Sequence, residues 1–177
     1  FVSLGCDKNL VDSEVMLGKL SERGYSFTDD EEEADVVVVN TCCFIGDAKE
    51  ESIQNILEMA ELKKAGKISA LIVTGCLAQR YREEILDEIE EVDAILGTTA
   101  IEQIADAIDQ ALAGKAENYF EDISAPIGEQ EEKRIVTTGG HFSYLKIAEG
   151  CDKHCTYCII PKVRGNYRSV PMERLIR

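Results

Sequence analysis

The sequence predicts an α/β protein in which helices cover both faces of a parallel sheet. Two short runs of β-branched and aliphatic residues, at 34–40 and 69–74, are suited to strands that are buried on both faces. Longer stretches with helical spacing follow them, and alternating strands and helices are typical of a parallel sheet. We therefore expect a doubly wound N-terminal domain with flanking helices over about residues 1–115.

Local patterns predict each element of this domain in turn. Residues 1–4 indicate the end of a strand, Asn9 is expected to cap the next helix, and Gly24 to end it. Further helices are predicted at about 47–65, 83–91 and 99–113, with a short strand at 93–96. In the helix at 47–65, one apolar stripe contains Ile53, Ile56, Leu57 and Ala60.

The composition changes after Gly114. Residues 116–140 contain Pro126, Gly128 and an acidic cluster, and we expect a linker with short strands. Alternation over residues 143–148 predicts a strand that begins a second domain, which would occupy residues 141–177. The chain begins without Met and stops within a predicted amphipathic helix at 172–177. We therefore expect a fragment, with most of the missing sequence beyond its C-terminal end.

The charge is uneven along the chain. Residues 1–140 hold 12 Lys and Arg against 31 Asp and Glu, whereas residues 141–177 hold 7 against 3. The acidic part should repel phosphate backbones and can attract a basic protein, although solubility alone would explain such a surface equally well. No run approaches the roughly 20 apolar residues that a membrane crossing needs. The expected location is the cytoplasm, with no membrane partner.

Three of the seven cysteines form a compact motif, Cys151-x3-Cys155-x2-Cys158. An odd number of cysteines in a cytoplasmic chain argues against a disulfide framework and favours metal chemistry. Three thiolates can hold a 4Fe–4S cluster and leave one iron open to a further ligand. The alternative is a zinc site with His154 as fourth ligand, but adjacent residues such as His154 and Cys155 rarely reach one tetrahedral metal.

Three other cysteines, Cys6, Cys42 and Cys76, each follow a predicted strand. The carboxyl ends of parallel strands share one edge of a sheet, so these thiols can converge there and hold a second 4Fe–4S cluster with an open iron. The alternative is that they are small buried residues that happen to be Cys. Cys43 should point away from Cys42, because adjacent side chains of an extended segment alternate.

The C-terminal motif, with Tyr157 directly before its last Cys, resembles the signature of radical S-adenosylmethionine (SAM) enzymes. That resemblance implies that Cys151, Cys155 and Cys158 hold the cluster that binds SAM. Tyr157 would pack against the cluster loop. It also implies that residues 141–177 contain the first strand and cluster loop of a radical SAM (β/α) barrel.

Three N-terminal strings extend the resemblance to the methylthiotransferases within that superfamily: Gly5-Cys6-x-x-Asn9, Asn40-Thr41-Cys42 and Thr74-Gly75-Cys76-Leu-Ala-Gln-Arg. The match runs in the family order over almost the whole chain. The family string Asn-Thr-Cys selects Cys42 rather than Cys43 as a ligand. The resemblance implies a transferase with two 4Fe–4S clusters and an electron-donor protein, converting a C–H bond to C–SCH3 with SAM. The chain alone would be inactive.

The substrate depends on the branch of that family. The string Asp7-Lys8-Asn9 after Cys6, and Cys-Ile-Ile-Pro at 158–161, resemble the branch that modifies an aspartate β-carbon of a basic small-subunit ribosomal protein, number twelve. The alternative is the branch that modifies isopentenylated adenosine beside the tRNA anticodon. An alternative of another class is an electron-transfer protein with two iron–sulfur clusters.

Overall fold

The centre of the fold is a parallel sheet of five strands, in a computed structural model that describes residues 1–31, 33–127 and 133–176. The strands are β1 (Val2–Ser3), β2 (Val36–Thr41), β3 (Ala70–Gly75), β4 (Ala94–Leu96) and β5 (Asn118–Tyr119). They lie side by side in chain order, and all four pairings are parallel. The predicted parallel sheet is confirmed. The carboxyl ends of β1, β2 and β3 are therefore neighbours.

Helices cover both faces of this sheet, as the sequence predicted. They are α1 (Asp7–Glu22), α2 (Gly46–Lys64), α3 (Cys76–Arg80), α4 (Arg82–Glu88) and α5 (Ile104–Leu112), with a short 3-10 helix at Ile101–Gln103. α1 and α5 pack on one face, whereas α2, α3 and α4 pack on the other. None of the helices in the described part of the chain combines the length and the apolar composition that a membrane crossing needs.

Two apolar layers, one on each face of the sheet, join the strands to the helices. Along β2, Val37 and Val39 belong to the layer of α2, while Val38 belongs to the layer of α1. This period of two is the alternation of side chains along a strand. Each fully buried aliphatic side chain stabilises the fold by about 1.5–3 kcal/mol relative to an exposed one. The buried polar residues of β2, Asn40 and Thr41, stand only at its carboxyl end.

The first helix begins earlier than the sequence predicted. Cys6 occupies the N-cap position of α1, so the prediction that Asn9 caps this helix is wrong. Asn9 lies in the first turn with its side chain fully buried against the ends of the strands. Its amide group bonds the backbone of two other segments instead of the helix terminus. Gly24 follows the end of the helix, as predicted.

The helix α2 buries a different stripe from the predicted one. Ile56 and Ala60 are buried, but Ile53 and Leu57 are 36% and 43% exposed. Ser52 is buried instead, because its hydroxyl accepts a hydrogen bond of 2.9 Å from the backbone N–H that follows β2. Residues 52, 56 and 60 are four apart, so they form one row along the helix.

Between β3 and β5 the chain forms more and shorter helices than the sequence predicted. The helix α3 follows β3 without a loop and was not predicted. The helix predicted at 83–91 is α4, which ends at Glu88. The helix predicted at 99–113 consists of the 3-10 helix and α5, in which Ile104 and Ile108 are buried as expected and Leu112 is 47% exposed.

The rest of the described chain contains short elements. A small antiparallel sheet consists of β6 (Ala148–Glu149) and β7 (Arg168–Ser169), and the helices are α6 (Ile160–Arg164) and α7 (Met172–Leu175). The strand predicted at 143–148 is wrong except for its last residue, because no strand in the described ranges pairs with residues 143–147. β5 lies in the segment predicted as a linker. Gly128, most of the acidic cluster and Arg177 lie outside the described residues.

Glu14 of α1 holds residues 134–137 against the first domain. Its buried carboxylate accepts hydrogen bonds of 2.6 Å from both the Thr137 backbone N–H and the Arg134 Nε, and its backbone carbonyl accepts one from Ile135. Burial opposes the charge of Glu14, but the hydrogen bonds from Thr137 and Arg134 lower the pKa of this carboxyl below its ordinary value. The contact therefore depends on an ionised carboxylate.

We expect Glu14→Gln to lower the free energy of unfolding by about 1–3 kcal/mol at pH 7, because hydrogen bonds to a charged acceptor are lost. The pKa of Glu14 is lowered in the folded state, so its stabilising contribution is present above the unfolded value of about 4.3 and is lost as the pH falls below it. The free energies of unfolding of the parent and variant chains in urea should therefore differ at pH 7 and differ less at about pH 3.

The matched control is Glu22→Gln, which removes an exposed carboxylate of the same helix that lies 3.8 Å from Lys133. An exposed ion pair contributes little, so this variant should unfold like the parent chain at both pH values. A difference between Glu14→Gln and the parent that stays constant from pH 7 to about pH 3 would contradict the proposed role of the Glu14 charge.

Candidate metal centres

Three cysteines follow three neighbouring strands at one edge of the sheet. Cys6 comes three residues after β1, Cys42 comes directly after β2, and Cys76 begins α3 directly after β3. The register pairs Thr41 with Gly75, the residues that precede Cys42 and Cys76. The three cysteines therefore lie at the ends of adjacent strands, as their positions after predicted strands indicated. Their role as metal ligands stays a prediction.

Two glycines let the three cysteine-bearing loops approach one another. Gly5 has a φ of +92°, and a Cβ at this position would lie 2.5 Å from the Cβ and 2.9 Å from the Sγ of Cys42. Gly75 has a φ of +93°, and a Cβ there would lie 2.4 Å from both the Asn40 Oδ1 and the Thr41 carbonyl oxygen. Both positions need the left-handed backbone and have no room for a side chain. The loop of Cys6 therefore packs directly on Cys42.

Asn9 bonds to all three strand ends. Its Nδ2 donates hydrogen bonds of 2.9 Å to the carbonyl oxygens of Leu4 and Thr41, which precede the Cys6 and Cys42 positions. Its Oδ1 lies 3.8 Å from the Cys76 Sγ, within the reach of a weak thiol hydrogen bond. One buried amide therefore connects the three loops that carry the cysteines.

Cys43 has a separate position. Its Sγ donates a hydrogen bond of 3.2 Å to the Cys76 carbonyl oxygen, and its side chain belongs to the apolar layer of α2. Burial raises the pKa of the Cys43 thiol. Cys42 instead lies against Gly5, with its backbone N–H and carbonyl both bonded to the Ser52 hydroxyl. The two adjacent thiols thus have different surroundings.

The second cysteine set lies on an open loop between β6 and α6. Cys155 is exposed, while Cys151 and Cys158 are half-buried. The Cys151 N–H donates to the Gly165 carbonyl oxygen at 3.0 Å, and the chain turns within the motif at His154, whose φ is +47°. Tyr157 is 90% exposed. The loop therefore leaves the thiols of this set accessible.

All seven cysteines are free thiols. In this conformation, no group of three or more Cys, His, Asp or Glu side chains within residues 1–31, 33–127 and 133–176 is arranged to hold a metal ion. The two sets still fit a thiolate-bound cluster in their donor chemistry, since each offers three free thiols on neighbouring backbone segments. Soft thiolate ligands of this kind suit iron–sulfur clusters or zinc.

A buried ion network lies beside the first cysteine set. Arg164 is 3% exposed and stands at the end of α6. Its Nη2 lies 2.9 Å from the Asp12 Oδ2 and its Nη1 3.0 Å from the Glu149 Oε2. Lys146 contacts both carboxylates as well, with 3.2 Å to Glu149. Residues after the linker thereby pair with a carboxylate of α1.

Charges in this network shift the pKa values of Glu149 and of the adjacent Cys76. Burial opposes ionisation of Glu149, but Arg164 and Lys146 lower the pKa of this carboxyl to about 2. Burial raises the pKa of the Cys76 thiol to about 12, and the Arg164 guanidinium acts in the opposite direction. Glu149 is therefore ionised and Cys76 is a neutral thiol near pH 7. Any metal that binds Cys76 must release its proton.

Sequence reasoning did not assign a role to the members of this network. Lys146 lies in the segment predicted as a strand at 143–148, Glu149 directly follows it, and Arg164 comes three residues after the Cys-Ile-Ile-Pro string. A signal was present, because charged residues interrupt the apolar alternation of residues 143–149. Burial of such residues usually requires a partner of opposite charge. The partner, Asp12, is more than 130 residues away in the sequence, so only the fold identified it.

The fold and the site define an α/β protein with thiol groups at the carboxyl edge of a parallel sheet. Comparison with known proteins identifies its family. The chain belongs to the uncharacterized protein family UPF0004, which it matches over residues 1–97. That match contains all three of the cysteines at the strand ends.

Curated relatives extend the similarity to the whole chain. The chain is 66% identical over 176 residues to the ribosomal protein uS12 methylthiotransferase RimO of Lachnoclostridium phytofermentans. It is 50% identical over 174 residues to the RimO protein of Desulforamulus reducens and 51% identical over 179 residues to that of Clostridioides difficile. These matches cover 98–99% of this chain but only 39–40% of each relative. The predicted resemblance to methylthiotransferases is confirmed.

We expect Gly5→Ala to destabilise the metal-free chain more than Gly24→Ala. Both glycines have a φ of +92°, so both variants bear the same backbone penalty. Only at Gly5 would the new Cβ overlap Cys42, whereas nothing lies within 4 Å at Gly24. Overpacking typically costs about 1–3 kcal/mol, which is the expected extra loss in the free energy of unfolding measured in urea. Equal losses would show that the Gly5 loop does not pack on Cys42.

Proposed function

We propose that this chain is part of a radical SAM methylthiotransferase that converts a C–H bond to C–SCH3 on an aspartate of ribosomal protein uS12. The observation that carries the proposal is the presence of two separate sets of three free thiols, one at the strand ends and one on the loop after β6. The relatives named ribosomal protein uS12 methylthiotransferase support it, at up to 66% identity over almost the whole chain. The chain alone, two-fifths of their length, is proposed to be inactive.

The proposed SAM site is the loop that carries Cys151, Cys155 and Cys158. Cys155 is exposed there, Cys151 and Cys158 are half-buried, and none of the three is engaged in a disulfide. A 4Fe–4S cluster bound to them would supply an electron for cleavage of SAM and an open iron for its amino and carboxylate groups. The exposed ring of Tyr157 is available to cover one side of this loop. Residues 141–176 would begin the barrel domain that completes the SAM site.

The second cluster is proposed to bind Cys6, Cys42 and Cys76. Asn9 supports this set, because it ties together the backbone of the strand ends from which these residues project. Cys43 is not proposed as a ligand, since its thiol lies in the apolar layer of α2 and donates to the Cys76 carbonyl oxygen. Three protein ligands would again leave one iron open, as sulfur delivery to a substrate carbon requires.

A basic protein substrate agrees with the charge of the chain. Residues 1–140 carry 31 acidic against 12 basic side chains, so their surface attracts cations and repels nucleic-acid phosphates. Electrostatic attraction of this kind speeds the encounter of oppositely charged partners and weakens as salt screens it. We propose uS12 as the substrate and a separate redox protein as the electron donor.

We expect about eight irons per chain after anaerobic reconstitution, one 4Fe–4S cluster for each cysteine set. Replacing Cys151, Cys155 and Cys158 together with Ala should leave about four irons, and so should replacing Cys6, Cys42 and Cys76. The matched control is Cys43→Ser, which removes a neighbouring buried thiol and should keep about eight. Iron and acid-labile sulfide analysis provides the measurement. Uptake of one zinc and no iron would exclude the proposed function.

We expect a strain without the full-length gene to produce uS12 that lacks the mass of one methylthio group. Its tRNA should keep the methylthioadenosine, because the acidic surface of residues 1–140 disfavours an RNA substrate. Mass spectrometry of intact uS12 and of digested tRNA measures both. The control is the same strain with the gene restored. Loss of the group from tRNA, with uS12 unchanged, would assign the protein to the tRNA branch instead.

A further inference from the structure

We propose that Asn9 and Arg164 form a positioning pair. Arg164 lies on the segment that carries the second cysteine set, and through Asn9 it holds the three loops of the first cysteine set in place. This inference rests on the proposed function, because it concerns the sites proposed for the two clusters. Neither residue is proposed to bind metal or SAM. Their role is to fix the three strand-end loops and to place a positive charge beside them.

The pair is a direct and buried contact. The Arg164 Nη2 donates a hydrogen bond of 2.6 Å to the Asn9 Oδ1. Asn9 is 0% exposed and Arg164 is 3% exposed. The same Asn9 oxygen lies 3.8 Å from the Cys76 Sγ. The guanidinium therefore interacts with the Cys76 side chain both directly and through the Asn9 amide.

The side-chain amide of Asn9 has the donors and the acceptor that these contacts need. A side-chain amide offers two donors and one acceptor with two lone pairs. Here both donors are used by the carbonyl oxygens of Leu4 and Thr41, and the acceptor serves Arg164 and Cys76. Aspartate would lose both donors, and alanine would leave four groups without this partner. The amide therefore passes any movement of Arg164 to all three loops.

The guanidinium is held in place by charge. Asp12 and Glu149 pair with Arg164 and Lys146, and Glu149 also lies 3.5 Å from Lys8. These three cations and two carboxylates leave one net positive charge in the network, and its Arg164 lies beside the Cys76 thiol. A net positive charge stabilises thiolates and the negative charge of a thiolate-bound cluster. The network thus provides, within an acidic protein, a local environment suited to such a group.

The same Arg164 is tied to the second cysteine set. It stands six residues after Cys158 in the sequence, and the carbonyl oxygen of its neighbour Gly165 accepts a hydrogen bond of 3.0 Å from the Cys151 N–H. A continuous series of contacts therefore runs from Cys151 through Gly165, Arg164 and Asn9 to Cys76. A change in the conformation of the second loop would alter the support of the first site.

Hydrogen–deuterium exchange of the metal-free 177-residue chain tests the positioning role. Arg164→Gln should speed exchange of the peptides covering residues 4–10 and 75–80 by roughly tenfold, the effect of losing hydrogen bonds to a charged group. Asn9→Ala should do the same, and the double variant should be no faster than either single one. Arg164→Lys, which keeps the charge but cannot reach both Glu149 and Asn9, should give an intermediate rate.

The matched control is Arg134→Gln. Arg134 also pairs with a buried carboxylate of α1, Glu14, and its other hydrogen bond goes to the Tyr144 carbonyl oxygen rather than to Asn9. Its loss should speed exchange around residues 133–138 only. If Arg164→Gln and Arg164→Lys both leave exchange at residues 4–10 and 75–80 unchanged, or if Arg134→Gln speeds it equally, the positioning pair is overturned.

A second measurement, the reduction potential of the cluster at the first cysteine set, tests the effect of the Arg164 charge there. In the chain with Cys151, Cys155 and Cys158 replaced by Ala, anaerobic reconstitution should leave a single cluster. Arg164→Gln should then shift its reduction potential to more negative values, because a nearby positive charge favours the reduced cluster. Arg164→Lys should remain closer to the parent, and Arg134→Gln should match it. An unchanged potential in Arg164→Gln would overturn the charge role. No iron uptake by the parent would instead contradict the proposed function.

Discussion

The arrangement of this protein depends on the pairing of one buried guanidinium. Arg164 is 3% exposed, and a charge in such surroundings is strongly destabilising unless ion pairs and hydrogen bonds compensate it. Its partners come from both ends of the chain, Asp12 on α1 and Glu149 on β6. Because neither carboxylate alone satisfies it, the C-terminal segment has to lie against the carboxyl edge of the sheet. The segment that carries the second cysteine set is thereby held at the edge that carries the first.

The two longest strands, β2 and β3, are polar only at their carboxyl ends. Inside the sheet, β2 and β3 alternate apolar side chains toward two layers of helices. At their ends the side chains become Asn, Thr and Cys, and two glycines with positive φ bring the loops within contact of each other. Sequential strand order makes these ends adjacent without any long connection. The Asn40 amide and the Thr41 hydroxyl donate hydrogen bonds to neighbouring backbone carbonyl oxygens, whereas the Thr74 hydroxyl is buried without a hydrogen-bond partner in the described part of the chain.

Errors in the sequence predictions share a cause. Asn9 is a residue type that often caps helices, but its side-chain amide instead donates a hydrogen bond to a buried backbone carbonyl oxygen of another segment. Ile53 and Leu57 fit an apolar stripe, yet the hydroxyl of Ser52 fixed the rotation of α2 through the backbone after β2. Residues 143–147 alternate like a strand, but a strand also needs a pairing partner. Local patterns describe what a segment can do, while contacts with distant segments select among the possibilities.

The sequence by itself determined the class of fold and the position of the cysteines. β-branched runs separated by helical spacing specify buried parallel strands, and a cysteine placed after a strand must lie at the carboxyl edge of the sheet. Only the tertiary structure decided that Asn9 connects the three strand ends and that Arg164, Lys146 and Glu149 form a buried network with Asp12. The reason is physical: periodicity follows from neighbours along the chain, whereas the partner of a buried polar group comes from wherever the fold supplies one.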